Sequence, residues 1–316
     1  MNIVFGPVPS RRLGKSVGIN NIPNKICSYN CVYCQLGNTI MQEISRKSFY
    51  SPEEIYNETR QKVETVGREN IDYLTFVPDG EPTLDINLGK EAVMLKKLDI
   101  PIAIITNSSL ISDINVQEDL LNFDFVSFKV DAVSENIWRF VDRPQKQLFL
   151  KDILNGIIEF KNKFNGQIVT ETMLIDKIVY EPEISKISEF LALLDPDISY
   201  IAIPIRPPSE SWVIPPSEKI INYAYQVFRE KVKKVEYLIE YEGNEFSTAD
   251  EFEQNLLSIV SVHPMREDAI FKFLSKYNKN IEDIENLINE KKIMKVEYQN
   301  NNYYIRRLKG REALLH

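Results

Sequence analysis

The chain contains three cysteines, Cys27, Cys31 and Cys34, and all of them fall within eight positions of the stretch KICSYNCVYCQLG. Incidental buried cysteines would be scattered, and in a reducing compartment an odd number argues against a disulfide pair. A structural zinc site needs a fourth ligand, and the two histidines, His263 and His316, are distant in sequence. The remaining interpretation is an iron–sulfur cluster on three thiolates, which leaves one iron atom open to a ligand.

The composition is typical of a soluble globular protein, with 43% hydrophobic and 27% charged residues. No apolar run approaches the roughly 18 residues of a membrane-spanning helix, and the first residues lack the pattern of a secretory signal. We therefore expect a cytoplasmic protein. The net charge of −8 argues against general nucleic-acid coating, although residues 1–42 hold four basic and no acidic side chains.

Six apolar or alternating runs predict strands, and helical patterns lie between them. The runs are Ser16–Ile22, Ile71–Val77, Ile100–Thr106, Phe123–Val130, Gly166–Ile175 and Ile198–Ile205. Strands that alternate with helices predict a parallel sheet, here an α/β fold with a partial (βα)6 TIM-like barrel. The cysteine loop follows the first strand, at the carboxyl end where such barrels carry their chemistry. After the loop, Ser51 and Pro52 mark the start of a helix.

The pattern changes near residue 246, where three helical segments precede a hairpin with an asparagine-rich turn at residues 300–302. We therefore expect a barrel over residues 1–245 and a small winged-helix-like domain over residues 246–316. The third of these helices carries acidic residues from Glu282 to Glu290, which would repel phosphate, whereas residues 306–311 are basic. This distribution favours RNA contacts by the hairpin, or protein docking, over the reading of duplex DNA.

The cysteine spacing, with Tyr33 directly before the last cysteine, resembles the signature of the radical S-adenosylmethionine (SAM) superfamily. The resemblance covers nearly the whole chain through FGPVPSRRLGKSVGINNIPNKICSYNCVYCQLG, DGEPTL, RPPSESW and VHPMRE. It points to a subgroup often labelled iron–sulfur oxidoreductases, which is distantly similar to the tRNA wyosine-synthesis enzymes. Those enzymes carry further cysteines for a second cluster. This chain has none, so an identical reaction is not implied.

The resemblance implies a partial barrel in which Cys27, Cys31 and Cys34 bind a [4Fe–4S] cluster and Tyr33 lies beside the cofactor. The open iron would bind the amino and carboxylate groups of SAM. An electron from the cluster would then cleave SAM to methionine and a 5′-deoxyadenosyl radical, which removes a hydrogen atom from the substrate. Whether that substrate is RNA, a protein side chain or a small metabolite is left open.

Two further strand ends resemble the SAM-binding segments of this superfamily. In DGEPTL, Gly80 would let the backbone approach the SAM ammonium group, and Glu81 would accept a hydrogen bond from it. A plain turn is the alternative. In TNSS, Asn107 or Ser108 would meet the SAM carboxylate or ribose, and the alternative is the N-cap of a helix.

The fourth and fifth strands place polar side chains where a buried sheet would be apolar. Ser127, Lys129 and Asp131 share one face by the two-residue period of a strand, and a polar ligand in the barrel would satisfy them. We assign Lys129 as the candidate catalytic residue, either as a cation for an anionic group or as an amine nucleophile. A structural pair with Asp131 or Glu171 is the alternative. Ile203 lies where the superfamily places a contact with the SAM adenine.

Arg11 and Arg12 precede the first strand and lie close in sequence to the cysteine loop. They could dock an acidic flavodoxin or ferredoxin as electron donor, or a substrate phosphate, and a solvated basic edge is the alternative. The proline-rich loop around Trp212 either covers the barrel mouth or is a packed connection. A different function also stays open: an iron–sulfur-dependent regulator that binds nucleic acid through the winged-helix-like domain.

Overall fold

The computed structural model describes residues 3–23, 25–240, 246 and 251–307. The strands within these ranges are β1 (Val4–Ser10), β2 (Gly14–Ile19), β3 (Ile26–Cys27), β4 (Met41–Gln42), β5 (Tyr73–Phe76), β6 (Ile102–Thr106), β7 (Phe125–Lys129), β8 (Gln167–Met173), β9 (Ile198–Ala202), β10 (Val235–Leu238), β11 (Met265–Arg266), β12 (Ile293–Tyr298) and β13 (Asn301–Arg306). The helices are α1 (Pro52–Val66), α2 (Leu88–Leu95), α3 (Ile114–Leu120), α4 (Glu135–Val141), α5 (Leu150–Lys161), α6 (Tyr180–Leu194), α7 (Glu218–Arg229), α8 (Phe252–Val262), α9 (Glu267–Lys276) and α10 (Ile281–Asn289).

Eight strands form one curled sheet in the order β1-β2-β5-β6-β7-β8-β9-β10. Strand β1 is antiparallel to β2, and every other neighbouring pair is parallel. All six predicted strands are present, which confirms the α/β class and the partial TIM-like barrel. The order of the sheet therefore brings the carboxyl ends of seven parallel strands to one rim, where the cysteine loop lies.

The sequence patterns did not predict two strands of this sheet, and both lie at its edges. Strand β1 contains Gly6, Pro7 and Pro9, which are poor strand residues but are tolerated at an edge, where proline need not donate to the sheet. Strand β10 has only four residues, too few for a clear alternating pattern. These edge strands extend the half-barrel on both sides of the six predicted strands.

The two faces of the sheet carry different cores, as the alternation in β7 illustrates. Val126 and Phe128 pack into the main core with the helices. Phe125 packs on the other face with Leu13 and Tyr200, in a smaller cluster that fills one part of the barrel interior. Helix α1 begins as predicted, with Ser51 Oγ accepting a hydrogen bond from the Glu54 amide. Among the described residues, no helix combines the length and apolar character that crossing a membrane requires.

The C-terminal segment folds around a core of its own in the order α8, β11, α9, α10, β12, β13, with a three-stranded sheet β11-β13-β12. The three helices and the hairpin are present as predicted. The likeness to a winged helix and the boundary at residue 245 remain predictions, and residue 245, Lys309 and Arg311 lie outside the described residues. This core also includes Phe5 and Val8 of β1, so the segment packs directly on the edge of the barrel.

The hairpin turn differs by one residue from the prediction at 300–302. Tyr298 pairs with Asn301, so the turn consists of Gln299 and Asn300. Both have left-handed backbones, with φ of 51° and 59°. A two-residue hairpin loop requires this conformation at both positions, and asparagine adopts it more readily than most residues.

Candidate active site at the barrel mouth

The three cysteines lie between β2 and α1, in a segment that we call the cysteine loop and that also contains the two-residue strands β3 and β4. Hydrogen bonds fix the backbone of this loop. The Glu43 amide donates to Cys27 O (3.0 Å), and the Cys34 amide donates to Cys31 O (3.1 Å). Burial and the nearby Asp142 carboxylate raise the pKa of the Cys31 thiol. The neighbouring Cys34 and Cys27 raise this pKa further, so the three sulfur atoms lie within electrostatic range of one another.

Two of the sulfur atoms accept hydrogen bonds from the protein. Lys25 Nζ lies 2.9 Å from Cys34 Sγ, and Asn107 Nδ2 lies 3.5 Å from Cys27 Sγ. Burial raises the pKa of Cys27 to about 12, although the Lys25 charge acts in the opposite direction. The sequence interpretation missed Lys25 as a site residue. Its signal was a basic residue two positions before the first cysteine.

The donor set fits an iron–sulfur cluster held by three thiolates. Buried thiols stay protonated unless a positive centre stabilises the thiolate, and iron provides such a centre. Within the described part of the chain, no three His, Cys, Asp or Glu side chains are arranged to hold a metal ion. A four-iron cluster binds each thiolate through a different iron atom, so its cysteines need not converge on one point.

Gly80 supports the cysteine loop through a close backbone contact. A Cβ atom at this position would lie 1.7 Å from the carbonyl oxygen of Ile26. The next amide, of Glu81, donates a hydrogen bond to the same oxygen (3.2 Å). Glycine is therefore required at position 80 because any side chain would collide with the backbone of Ile26, the residue before Cys27. The sequence did not predict this contact. A contact between Gly80 and the SAM ammonium group stays a prediction.

The Glu81 carboxylate is 1% exposed and joins the loops that follow β5 and β6. Its Oε1 accepts hydrogen bonds from Thr106 Oγ1 (2.6 Å) and from the hydroxyl (2.6 Å) and amide (3.0 Å) of Thr83. Its Oε2 accepts one from the Asn107 amide (2.8 Å). Burial raises the pKa of Glu81, whereas these hydrogen bonds lower it, and the net direction is upward. Glu81 thus holds Asn107 beside the cysteine loop, and its contact with SAM stays a prediction.

Asn107 and Ser108 face different surroundings. Asn107 Nδ2 donates to Ser28 Oγ (2.9 Å) in the cysteine loop. Ser108 is 1% exposed and has a left-handed backbone, and its hydroxyl points to the Lys129 carbonyl oxygen (3.4 Å). The N-cap alternative is wrong for both residues, because the next helix, α3, begins after Asp113, whose side chain caps it.

Lys129 is the centre of a charged network across the barrel interior. Its Nζ lies 2.8 Å from Glu171 Oε1, 3.1 Å from Asp131 Oδ1 and 4.9 Å from the centre of the Tyr33 ring. Arg12 also pairs with Glu171, and the Tyr33 hydroxyl donates to Asp131. Burial lowers the pKa of Lys129, but the carboxylates of Asp131 and Glu171 raise it to a net upward shift. This environment favours an ammonium ion over the amine nucleophile, and both structural pairs are present.

A cavity of about 280 Å³ opens beside this network. Its lining residues are Arg11, Arg12, Tyr33, Cys34, Gln35, Leu36, Lys129, Glu171, Met173, Ala202, Ile203, Pro204, Ile205, Arg206 and Leu238. The structure therefore brings the predicted Tyr33, Cys34, Lys129 and Ile203 to one cavity. The other predicted site residues do not line this cavity. They belong to or contact the cysteine loop or the Lys129 network. Trp212 packs on Phe140 (5.5 Å between ring centres), away from the cavity lining.

The C-terminal segment contacts the same rim. The Tyr303 hydroxyl donates to Ile205 O (2.8 Å) and the Tyr298 hydroxyl to Pro204 O (3.1 Å). His263 is 7% exposed and its Nε2 lies 3.0 Å from Arg206, so it packs between the C-terminal segment and the loop that follows β9. These contacts fix the backbone of one cavity wall from outside the barrel.

Residues 21–187 match the family model of the radical SAM superfamily. The chain belongs to the radical SAM superfamily. It is 51% identical to the UPF0026 protein MJ1312 of Methanocaldococcus jannaschii over 315 residues, which is 99% of this chain and 98% of that protein. Radical SAM superfamily enzymes use a [4Fe–4S] cluster and SAM, and this chain is a radical SAM enzyme that uses 5′-deoxyadenosyl radical chemistry.

Two solved structures share the fold of this radical SAM enzyme. Streptococcus suis SuiB bound to S-adenosylmethionine aligns with a TM-score of 0.52 and 12% identity, covering 69% of this chain and 49% of that chain. A radical SAM methyltransferase from Sphaerobacter thermophilus aligns with a TM-score of 0.52 and 12% identity, covering 70% and 66%. At these identities the alignments support the fold alone.

Proposed function

We propose that Cys27, Cys31 and Cys34 hold the [4Fe–4S] cluster and that SAM binds between this cluster and the cavity at the barrel mouth. A hydrogen atom is then removed from a substrate group that enters the cavity. One observation supports this proposal: Cys34 and members of the Lys129 network line the same cavity.

The roles of the chain's own residues follow from their contacts. When bound, the cluster supplies the electron that cleaves SAM to methionine and the 5′-deoxyadenosyl radical. Asn107 orients Cys27 through its amide group, because Glu81 fixes the Asn107 backbone. Lys129, held as a cation, binds a carboxylate of SAM or an anionic group of the substrate. Ile203 contributes an apolar surface to the cavity, which suits the adenine ring.

Part of the cavity wall is apolar, which would help to keep water from a reactive radical. Leu36, Met173, Ile205 and Leu238 line it with apolar atoms. A radical in a dry cavity has fewer side reactions available, so hydrogen transfer from the substrate is favoured. A macromolecular substrate would present one nucleotide or one side chain to a cavity of this size. We therefore propose an exposed group of an RNA or a protein as substrate.

A reductant must deliver the electron, and we propose a flavodoxin or a ferredoxin. The segment before Glu43 holds four basic and no acidic side chains, and it includes the cysteine loop. An acidic electron carrier would be attracted to this segment, and the attraction would weaken with added salt.

The regulator alternative is not favoured by the C-terminal segment. In helix α10, Asp283 caps the first turn, and the neighbouring Glu282 and Glu285 add negative charge. Arg306 Nη1 points back to α8, 3.3 Å from Leu257 O and 3.4 Å from Ser261 Oγ. A helix of this charge would repel a nucleic-acid backbone.

The test is anaerobic reconstitution with iron and sulfide, followed by dithionite and SAM. Wild-type protein should bind four irons and form 5′-deoxyadenosine, and the Cys27→Ala, Cys31→Ala and Cys34→Ala variants should each lose both properties. Ser45→Ala, an exposed change between the cysteines and α1, is the matched control and should behave like wild type. A colourless protein with one zinc per chain, or a clustered protein that leaves SAM intact under reduction, would refute the proposal.

A further inference from the structure

We propose that Lys25 sets the reduction potential of the cluster: its ammonium group donates a hydrogen bond to Cys34 and makes the cluster easier to reduce. This inference rests on the proposed function, because it requires the cluster to be bound by the three cysteines. It adds to that site a tuning residue that lies two positions before the first cysteine.

The geometry of Lys25 is that of a fixed donor rather than a solvated side chain. Nζ lies 2.9 Å from Cys34 Sγ, and the residue is only 7% exposed. Lysine is almost never buried unless its charge is paired, because removing the ammonium group from water is costly. The hydrogen-bond partner that the structure gives to this ammonium group is the Cys34 sulfur. The buried ammonium group is therefore matched to a prospective cluster ligand.

The backbone of Lys25 is also constrained. Its φ of 58° lies in the left-handed region, which a lysine adopts rarely. The Lys25 carbonyl oxygen accepts a hydrogen bond from the Ile40 amide (3.1 Å), which ties it to the far end of the cysteine loop. A strained conformation persists only where the surrounding structure holds it in place. The side chain is thus directed at Cys34 by the loop itself.

A second buried lysine provides a comparison. Lys129 is paired with the carboxylates of Asp131 and Glu171, and it lines the cavity. Lys25 instead donates a hydrogen bond to a prospective cluster ligand, Cys34. Its positive charge therefore lies beside the cluster site.

The effect on reduction follows from electrostatics. One electron enters the cluster, so the reduced form carries one more negative charge than the oxidised form. A cation beside a ligand sulfur in a buried site stabilises the more negative form to a greater extent. Charge and hydrogen bonds to the sulfur atoms are among the factors that set the potentials of iron–sulfur clusters. In the proposed step the reductant supplies one electron to the cluster, and Lys25 donates its hydrogen bond without transferring the proton.

The experiment is an anaerobic potentiometric titration of the reconstituted protein, followed by electron paramagnetic resonance of the reduced cluster. In Lys25→Met the ratio of reduced to oxidised cluster, at a fixed potential near the wild-type midpoint, should fall by about tenfold or more, since a hydrogen bond from a charged donor is lost. Lys25→Arg keeps the charge and should stay close to wild type. Lys47→Met removes an exposed lysine between the cysteines and α1 and should leave the midpoint potential of the cluster unchanged.

A second measurement covers the case in which Lys25→Met assembles no cluster. Protein grown with ¹⁵N-lysine should show a hyperfine coupling between the reduced cluster and a lysine nitrogen, and Lys25→Arg should lack it. An intact cluster in Lys25→Met with an unchanged midpoint, or no lysine coupling in wild type, overturns the inference. Loss of the cluster from wild type would instead refute the proposed function, so the two failures are distinguishable.

Discussion

Replacing Gly80 with alanine tests whether the loop after β5 positions the cysteine loop. The new Cβ would lie 1.7 Å from Ile26 O and 2.7 Å from Ile26 C. Real Cβ atoms essentially never approach another heavy atom to less than 3.0 Å, so the Ile26 backbone must withdraw by about 1.3 Å, the difference between the two distances. The obstructing atoms belong to the main chain, so no side-chain rotation relieves the contact.

The displacement has two consequences. The hydrogen bond from the Glu81 amide to Ile26 O (3.2 Å) is stretched or lost, and the overlap adds strain. Together these should lower the free energy of unfolding by about 1–3 kcal/mol. Cys27 follows Ile26 directly, so its sulfur also moves away from Asn107. A misplacement of about 1 Å in reacting groups costs about 100-fold in rate, which is the loss expected in SAM cleavage.

The assay compares iron and sulfide content, urea unfolding of the protein without iron, and 5′-deoxyadenosine formed per cluster. Gly67→Ala is the matched control, because Gly67 has a φ of 86° at the end of α1, ahead of β5 and away from the cysteines. It should lose stability without a loss of rate per cluster. A Gly80→Ala variant with a full cluster and the wild-type rate per cluster would refute the role assigned to this glycine.

Two buried charged groups give predictions about stability. Lys129→Met leaves two buried carboxylates without their lysine partner, so urea unfolding at pH 7 should show a loss of about 3 kcal/mol. Burial raises the pKa of Glu171, but Lys129 and Arg12 lower it to about 2. This group therefore stabilises the fold above its unfolded pKa of about 4.5, and the contribution is lost as the pH falls toward 2. Lys129→Met should flatten that acid dependence, and an unchanged acid profile would contradict the pairing. Burial and the Asp85 charge raise the pKa of Glu91 to about 9. The stability should therefore fall by up to about 1.4 kcal/mol per pH unit as the pH rises from about 4.5 to about 9. Glu91→Gln should remove this slope and exceed wild type in stability at pH 8, and a variant that keeps the slope would show that Glu91 is not its source.

Local sequence determined most of the elements of this protein and the proposed cluster ligands. Six strands, the capped start of α1 and the hairpin follow from patterns that extend over a few residues, because periodicity and caps are local properties. The three cysteines are likewise brought together by one short loop. Residues at the ends of neighbouring parallel strands, such as Lys129 and Glu171, could be expected to meet because such ends share one rim.

Only the tertiary structure decided which of these residues contact one another. Gly80 is required because the Ile26 backbone passes close to it, and the Glu81 carboxylate accepts a hydrogen bond from Asn107 at the end of the neighbouring strand. Periodicity does not specify either of these contacts. Lys25 reaches Cys34 through a left-handed backbone that lysine rarely adopts. The sequence likewise did not predict that the C-terminal segment packs on the cavity wall. A sequence pattern assigns a side chain to a face of its element, whereas long-range packing chooses the atoms that this face meets.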